Sequence, residues 1–275
     1  MLSISVFPVS IYGEANGPDY IDFSIGKTPY RISLAAKAGV LLGQAEEIVY
    51  KYSDDDAYLS QLLWDLKPLV YLGSSLSLSR ANPLAGLGAA VDLSVKFGLP
   101  ILSGTMEDRD WHDPYVIGNT YDDIYLTNFS SSDAYIQGAM LLDFSGGITI
   151  PIASVVAIKA LVSFSYMRFS WIAQNGYLQY MRENWEKRYV QGTLISYDQN
   201  WIILSPGIGV SWPFHRSLSL DFSFFISPLI WAWDMDTHFM TGPTQFYDDM
   251  KGGAVLGTVI GFFLCPQPIF FPGRP

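Results

Sequence analysis

Two short acidic runs hold the residue types that could do chemistry. Asp234-Met235-Asp236-Thr237-His238 sets carboxylates and an imidazole at alternate positions, and Glu107-Asp108-Arg109-Asp110-Trp111 repeats the spacing with Asp108 and Asp110. In an extended strand, alternate residues share one face, so each run presents a row of polar side chains. His238 is one of only three histidines in the chain. A His held by a carboxylate can take a proton from water, the carboxylate setting its tautomer and stabilising the imidazolium. A further pair of carboxylates can hold that water and share a proton, since adjacent acids rarely both ionise freely. The rows point to water activation if the fold turns them toward each other. A divalent cation bound by the acids stays open on the same residues, and the plainest alternative is a pair of solvated acidic loops. No G-x-S-x-G elbow and no H-E-x-x-H signature occurs, which argues against serine-hydrolase and zinc chemistry.

The composition narrows the elements that must position these rows. The chain has 275 residues, 49% hydrophobic and 15% aromatic. Charged residues make up 15%, against roughly 25% in an ordinary soluble domain. Together with a mean hydropathy of +0.21, this points to a membrane. A net charge of −10 argues against nucleic acid, whose phosphates require a basic surface, and suits a cationic substrate. The single cysteine, Cys265, excludes a disulfide framework and any multi-cysteine metal site. It reads as an incidental thiol, and His112 and His215 as solvated side chains.

A membrane helix needs about twenty nearly unbroken apolar residues. The best candidate, Ile148 to Met167, is interrupted by Pro151, Lys159 and several serines and threonines, and Gly253 to Leu264 is too short. Two-residue alternation is the stronger signal. Apolar residues fall on even positions from Leu62 to Leu78 and on odd positions from Leu87 to Phe97. The pattern recurs at Ile136, Met140, Leu142 and Phe144, then at Ile202, Leu204, Ile208, Val210 and Trp212. It is cleanest at Leu218, Leu220, Phe222, Phe224 and Ile226. Short turns are expected at Arg80–Pro83, Ser145–Pro151 and Pro213–Arg216, and long polar loops at 111–133, 172–195 and 239–251. Alternating short and long connections predict an all-β fold, a transmembrane antiparallel β-barrel with its lipid-facing apolar residues turned outward. A closed barrel also pairs the backbone groups that lipid cannot satisfy.

Both acidic rows then lie where a strand runs into a long connection, at one rim. Their facing needs a correction in the chain. Phe222, Phe224 and Ile226 are even and face lipid, yet Asp234, Asp236 and His238 are even too, while Leu229, Trp231 and Trp233 are odd. A bulge at Ser227-Pro228 would exchange the faces and turn the carboxylates inward.

The residues now carry a resemblance to the omptin family, outer-membrane endopeptidases with an Asp/His site at the external rim. Gly104-Thr-Met-Glu-Asp-Arg-Asp-Trp111 resembles the family's G-x-M-x-D-x-D-W segment, and Asp234-Met-Asp236-Thr-His238-Phe239 resembles D-x-D-x-H-Y. Upstream, Glu47-Ile-Val-Tyr50 and Ser60-Gln-Leu-Leu-Trp64 resemble E-x-V-Y and S-Q-L-x-W, and the order of the segments agrees. The resemblance implies that Asp236 and His238 are the water-activating dyad and that Asp108 and Asp110 are the couple facing it. It implies that Glu47 and Asp234 line the pocket for the basic side chain before the scissile bond, which suits the forked guanidinium of Arg. It further implies cleavage of peptides beside Arg or Lys, no cofactor, an outer-membrane location and a site open to the cell exterior. Only Arg168 matches one of the family's lipopolysaccharide-binding residues, and Asn200 stands where another Arg is expected. The likeness therefore stops short of those lipid contacts.

The family barrel has ten strands, of which about eight are recognisable here. The expected organisation is a lead over 1–18, a signal remnant or disordered, then one barrel domain over 19–264 and a proline-rich tail over 265–275. The tail's prolines predict that the family's final strands do not form, leaving unpaired edges. The competing readings are a non-enzymatic porin or adhesin, an inactive protease remnant, and a soluble β-sandwich.

Overall fold

The computed structural model describes residues 2–11, 19–51, 54–82, 84–111, 125–215, 218–240 and 242–264. Among these residues, thirteen strands form one antiparallel sheet. They are β1 (Leu2–Ile11), β2 (Asp19–Ile25), β3 (Thr28–Lys51), β4 (Asp54–Arg80), β5 (Gly88–Gly98), β6 (Ile101–Asp110) and β7 (Asn128–Ala153). There follow β8 (Val156–Tyr180), β9 (Arg188–His215), β10 (Leu218–Ser227), β11 (Leu229–His238), β12 (Thr244–Lys251) and β13 (Val255–Leu264). Several are halves of one interrupted stave: β1 and β2 both lie along β3, β5 and β6 along β4 and β7, and β10 and β11 along β9. The sequence segment assigned to a lead thus contains β1, which supplies a stave beyond those legible from alternation. The proline-rich tail lies outside the described residues. The paired path runs from β1 to β13, and among the described residues no ladder joins its two ends.

Crossing a bilayer takes about 9–11 tilted residues, yet β4 has 27 residues and β9 has 28. The strands therefore project far beyond the hydrocarbon. This corrects the expected loops at 172–195 and 239–251, which are mostly strand: the connections shrink to 181–187 and 239–243. Their polar character reflects water on the outer face and a polar cleft on the inner one. The turn expected at Ser145–Pro151 is also displaced, to Ser154 and Val155. Gly146 and Gly147 sit inside β7, where a Cβ on Gly147 would meet Ala160 O at 2.2 Å. No helix is long and apolar enough to cross a membrane among the described residues.

Facing follows the pleat. Below the projecting portion, Leu72, Leu76, Leu93, Phe97, Phe144, Ile208, Trp212, Phe222 and Phe224 are exposed and form an outward apolar belt. At the top of the belt the rings of Trp231 and Trp233 lie 5.0 Å apart, with Tyr166 stacked 6.4 Å from Trp233, like the aromatic girdle of a membrane barrel. Within the lower barrel Lys96 Nζ pairs with Asp143 Oδ2 at 2.7 Å, Ser165 Oγ donates to Asp143 Oδ1 at 2.8 Å, and Lys159 pairs with Asp221.

Higher up, the expected outward run of Leu62, Trp64 and Leu66 faces inward instead, fully or nearly fully buried. Near Pro68 the ladder with β3 slips between Leu41 and Gly43, after which Leu69 and Tyr71 are buried and Leu72 is exposed. Ile136 is turned inward by a similar slip before Gly138. These residues join Met106, Phe169, Trp171 and Tyr197 in a dry core. Trp64 stacks on Tyr197 at 5.5 Å and 5°, and Trp171 lies 5.9 Å from Tyr197.

The predicted bulge is present. Phe225 pairs with Gly207 and Leu229 with Leu204, so β10–β11 spends one more residue than β9 over the interval. Ser227 is fully buried there, its Oγ lying 2.7 Å from Leu204 O and accepting Leu229 N–H at 3.3 Å. Beyond it Trp231 is exposed while Ile230, Ala232, Asp234 and Asp236 are buried. A further irregularity, between Leu102 and Gly104, precedes Asp108. Gly104 has φ +124°, and a Cβ there would lie 2.6 Å from Asp65 Cβ. Asp65 Oδ2 accepts both Thr105 N–H at 3.2 Å and Thr105 Oγ1–H at 3.0 Å. Gly104→Ala is expected to destabilise the barrel by about 1–3 kcal/mol, the cost of a strained backbone. Chemical unfolding followed by tryptophan fluorescence measures this, and an unchanged midpoint would contradict the local account.

Candidate active site

The two rows stand on opposite walls. β6 carries Asp108 and Asp110, and β11 carries Asp236 and His238. Three strands, β7, β8 and β9, separate them in one direction, and β12, β1, β3 and β4 lie on the other side. All line one cleft of about 650 Å³, together with Glu47 and Asp248. At about 30 Å³ per water, the cleft holds far more than one water molecule and can admit peptide side chains. The cleft lies above the apolar belt and the aromatic core, in the projecting part of the barrel.

His238 Nε2 lies 2.7 Å from Asp236 Oδ2. Asp236 is only 6% exposed, so the bond is shielded from water. Burial on its own lowers the imidazole's proton affinity, but the hydrogen bond to Asp236 and the charges of Asp236, Asp108 and Asp110 outweigh it and raise the pKa of His238. Phe246 meets the ring edge-on at 5.4 Å. On the facing wall, burial first, then the neighbouring Asp110 charge, pushes Asp108 up to about 7. Asn128 Nδ2 donates to Asp110 Oδ2 at 3.3 Å, and Asp110 O accepts Thr127 N–H at 2.8 Å. At neutral pH the couple can hold a proton, as acids near one another must.

Beside the dyad lies a denser acidic cluster. Asp234, 2% exposed, accepts a hydrogen bond from Tyr197 Oη at 3.2 Å, and Gln199 Nε2 donates to that hydroxyl at 3.1 Å. Burial and the Asp234 charge keep Tyr197 protonated well above the ordinary tyrosine range. Carboxylate oxygens of Asp234, Glu47 and Asp248 all lie within 4.8 Å of one another. Burial, then the other acids, pushes Glu47 up to about 8, and burial with Asp248 pushes Asp234 up to about 7. Among the described residues, Glu47 Oε2 is buried without a hydrogen-bond partner. Three converging carboxylates suit a cation, either a metal ion or a two-pronged guanidinium.

All six residues singled out from the sequence therefore converge. Asp248, Tyr197 and Gln199 were not anticipated. Asp248 lay in a stretch read as loop. Tyr197 and Gln199 share the inward parity of Trp201 and Ile203, a signal that the extended β9 would have supplied. Arg168 is exposed on the outer wall and pairs with Asp198 at 3.2 Å, beside Asn200 on the neighbouring strand. His112, Cys265 and the His215 side chain lie outside what the structure describes.

Comparison with known proteins bears on the fold and the family. The sequence profile of the Omptin family matches residues 28–271. The fold is similar to the crystal structure of the outer membrane protease OmpT from Escherichia coli, with a TM-score of 0.68 and 18% identity over 89% of this chain and 77% of that one. No curated protein sequence matches. The family match spans most of the sequence, and the barrel with its girdle and rim cleft agrees with it: the chain belongs to the omptin family of outer-membrane proteases.

Proposed function

We propose that this barrel is an endopeptidase that hydrolyses peptide bonds beside Arg or Lys with a water activated by Asp236 and His238, at a rim facing the cell exterior. The observation that carries the reading is the 2.7 Å His238–Asp236 bond on one wall with Asp108 and Asp110 on the other. Nε2–H donates to Asp236, which leaves Nδ1 as the base. Nδ1 takes a proton from water as the oxygen adds to the scissile carbonyl carbon. The proton held between Asp108 and Asp110 is placed to stabilise the carbonyl oxygen as it gains charge. Collapse of the tetrahedral intermediate breaks the C–N bond, and the imidazolium returns its proton to the leaving amine.

The pocket of Glu47, Asp234 and Asp248 receives the basic side chain. Basic peptides and the surrounding outer-membrane lipid are the partners this reading supports. A porin gains no support, because Trp64, Phe169, Trp171 and Tyr197 fill the barrel beneath the cleft. The exterior orientation rests on the position of the cleft at the end opposite the short turns, as in outer-membrane barrels.

Refolded protein in detergent is expected to cleave a fluorogenic peptide at Arg, with His238→Ala and Asp108→Ala each lowering kcat by about 10²–10⁴. Wild-type turnover in both variants would overturn the assignment. A pH series supplies another check. Carboxyls at about 8 and 7 in Glu47 and Asp234 are substantially protonated at pH 6 and gain charge as pH rises. KM for Arg peptides is therefore expected to fall from pH 6 toward pH 8 and level off above. A KM flat across this window would remove these carboxylates from the pocket.

A further inference from the structure

Asp234 and Asp248 are direct cross-strand partners in the β11–β12 ladder, and Glu47 reaches the same point from β3. Like charges set opposite one another weaken a ladder, so this pairing is favourable only with a proton or a cation between the acids. One oxygen from each of the three carboxylates lies within 4.8 Å of the other two. The three are not equally free. Asp234 is 2% exposed, and its Oδ2 accepts the Tyr197 hydroxyl at 3.2 Å while the Tyr197 ring stacks on Trp64. Glu47 Oε2 is buried and has no hydrogen-bond partner among the described residues. Asp248 is exposed at the cleft. The deepest acid is thus fixed from the aromatic layer, and the outermost faces the mouth.

The spacing discriminates between the two basic head groups. An ammonium carries three N–H donors at tetrahedral angles. Acceptors about 2.8 Å from its nitrogen then stand roughly 4.6 Å apart, within the separation that these oxygens keep. A guanidinium is a flat fork. It takes the two oxygens of one carboxylate, or single oxygens spread around its plane at roughly 6 Å or more. The fork can engage one acid of the three with both prongs and leaves the others off its plane. An ammonium finds one acceptor for each donor, from three different strands. It is also the more strongly hydrated group, and that cost is offset only where all its donors are met again.

We propose that the pocket of Glu47, Asp234 and Asp248 is a lysine subsite. Its three carboxylate oxygens form a tripod for the side-chain ammonium, and the barrel cuts beside Lys in preference to Arg. The inference rests on the endopeptidase reading above and narrows its substrate. Asp248 decides the choice, because without it two acceptors remain, an arrangement open to either head group.

Matched peptides carrying one Lys or one Arg at the same position test this, with each cut located by mass spectrometry. The assay is run above the values of about 8 and 7 that Glu47 and Asp234 reach, so that the acids are charged while lysine remains so. Cleavage beside Lys is expected to exceed cleavage beside Arg by about tenfold in kcat/KM, the worth of one charge-assisted hydrogen bond. Asp248→Ala is expected to bring that ratio to about one or below, through a larger loss beside Lys than beside Arg. Circular dichroism checks that this variant keeps its strands. Competition by pentylammonium against pentylguanidinium compares the head groups on the unaltered protein, and the ammonium is expected to be the tighter inhibitor. Arg cut as fast as Lys or faster by the wild type overturns the tripod and leaves the endopeptidase reading intact. So does an Asp248→Ala variant that slows both alike, or pentylguanidinium as the tighter competitor. A wild type that cuts at neither residue overturns the endopeptidase reading, and the lysine subsite with it.

Discussion

A β-strand that leaves a bilayer keeps its pleat but changes what each face must meet. In the hydrocarbon the outward face must be apolar and the inner face can be polar. Above it, water bathes the outside, and a packed core needs apolar residues inside. A stave meets both zones either by changing the residue types on a fixed face or by exchanging its faces between them. β8 and β9 keep odd positions inward throughout, from Ala157 to Trp171 and from Tyr197 to Ser211, whereas other staves exchange faces, at the Pro68 slip, before Gly138, at Gly104 and at Ser227-Pro228. Each exchange admits residues such as Trp64, Ile136 and Asp236 to the interior above a belt whose outward residues are Leu72, Phe144 and Phe224. The acidic rows point inward because the ladder slips beneath them.

The dry layer formed by these exchanges also fixes the site electrostatically. Tyr197 belongs to both levels: its ring stacks on Trp64, and its hydroxyl donates to Asp234. A carboxylate set on such a layer loses solvation on one side, and the acids around the cleft lose more to one another. Their raised proton affinities follow from that crowding. The same acids on a solvated loop would titrate as ordinary carboxyls, so the height of the aromatic layer within the barrel helps to set the working state of the site.

Much of this was legible in the residues. The alternate spacing of Asp234, Asp236 and His238, with the parity conflict against Phe222 and Phe224, was enough to predict a bulge at Ser227-Pro228, since a two-residue period has no other way to change faces. The convergence of Glu47 with Asp234 followed from a family likeness, because their strands are far apart in sequence and adjoin only when the sheet curls. What escaped was everything above the belt. Polar runs such as 172–195 look like loops when strands are expected to be as long as a bilayer is thick, and Asp248, Tyr197 and Gln199 were hidden by that assumption. The inward turn of Leu62, Trp64 and Leu66 escaped for a related reason: an unbroken even-numbered apolar series conceals a slip at Pro68.

The aromatic layer has a consequence for the geometry of any bound chain. Trp64, Phe169, Trp171 and Tyr197 close the barrel beneath the cleft, so a polypeptide cannot thread through it. Whatever enters at the mouth must leave by the mouth, with both flanking arms on the outer side. A chain held this way crosses the mouth as a segment drawn out of its parent fold. Extended termini and flexible loops can take up that path at little cost, whereas a residue locked in a folded helix or sheet cannot, so the floor screens partners by whether the segment to be cut can be drawn out, before any side chain is read.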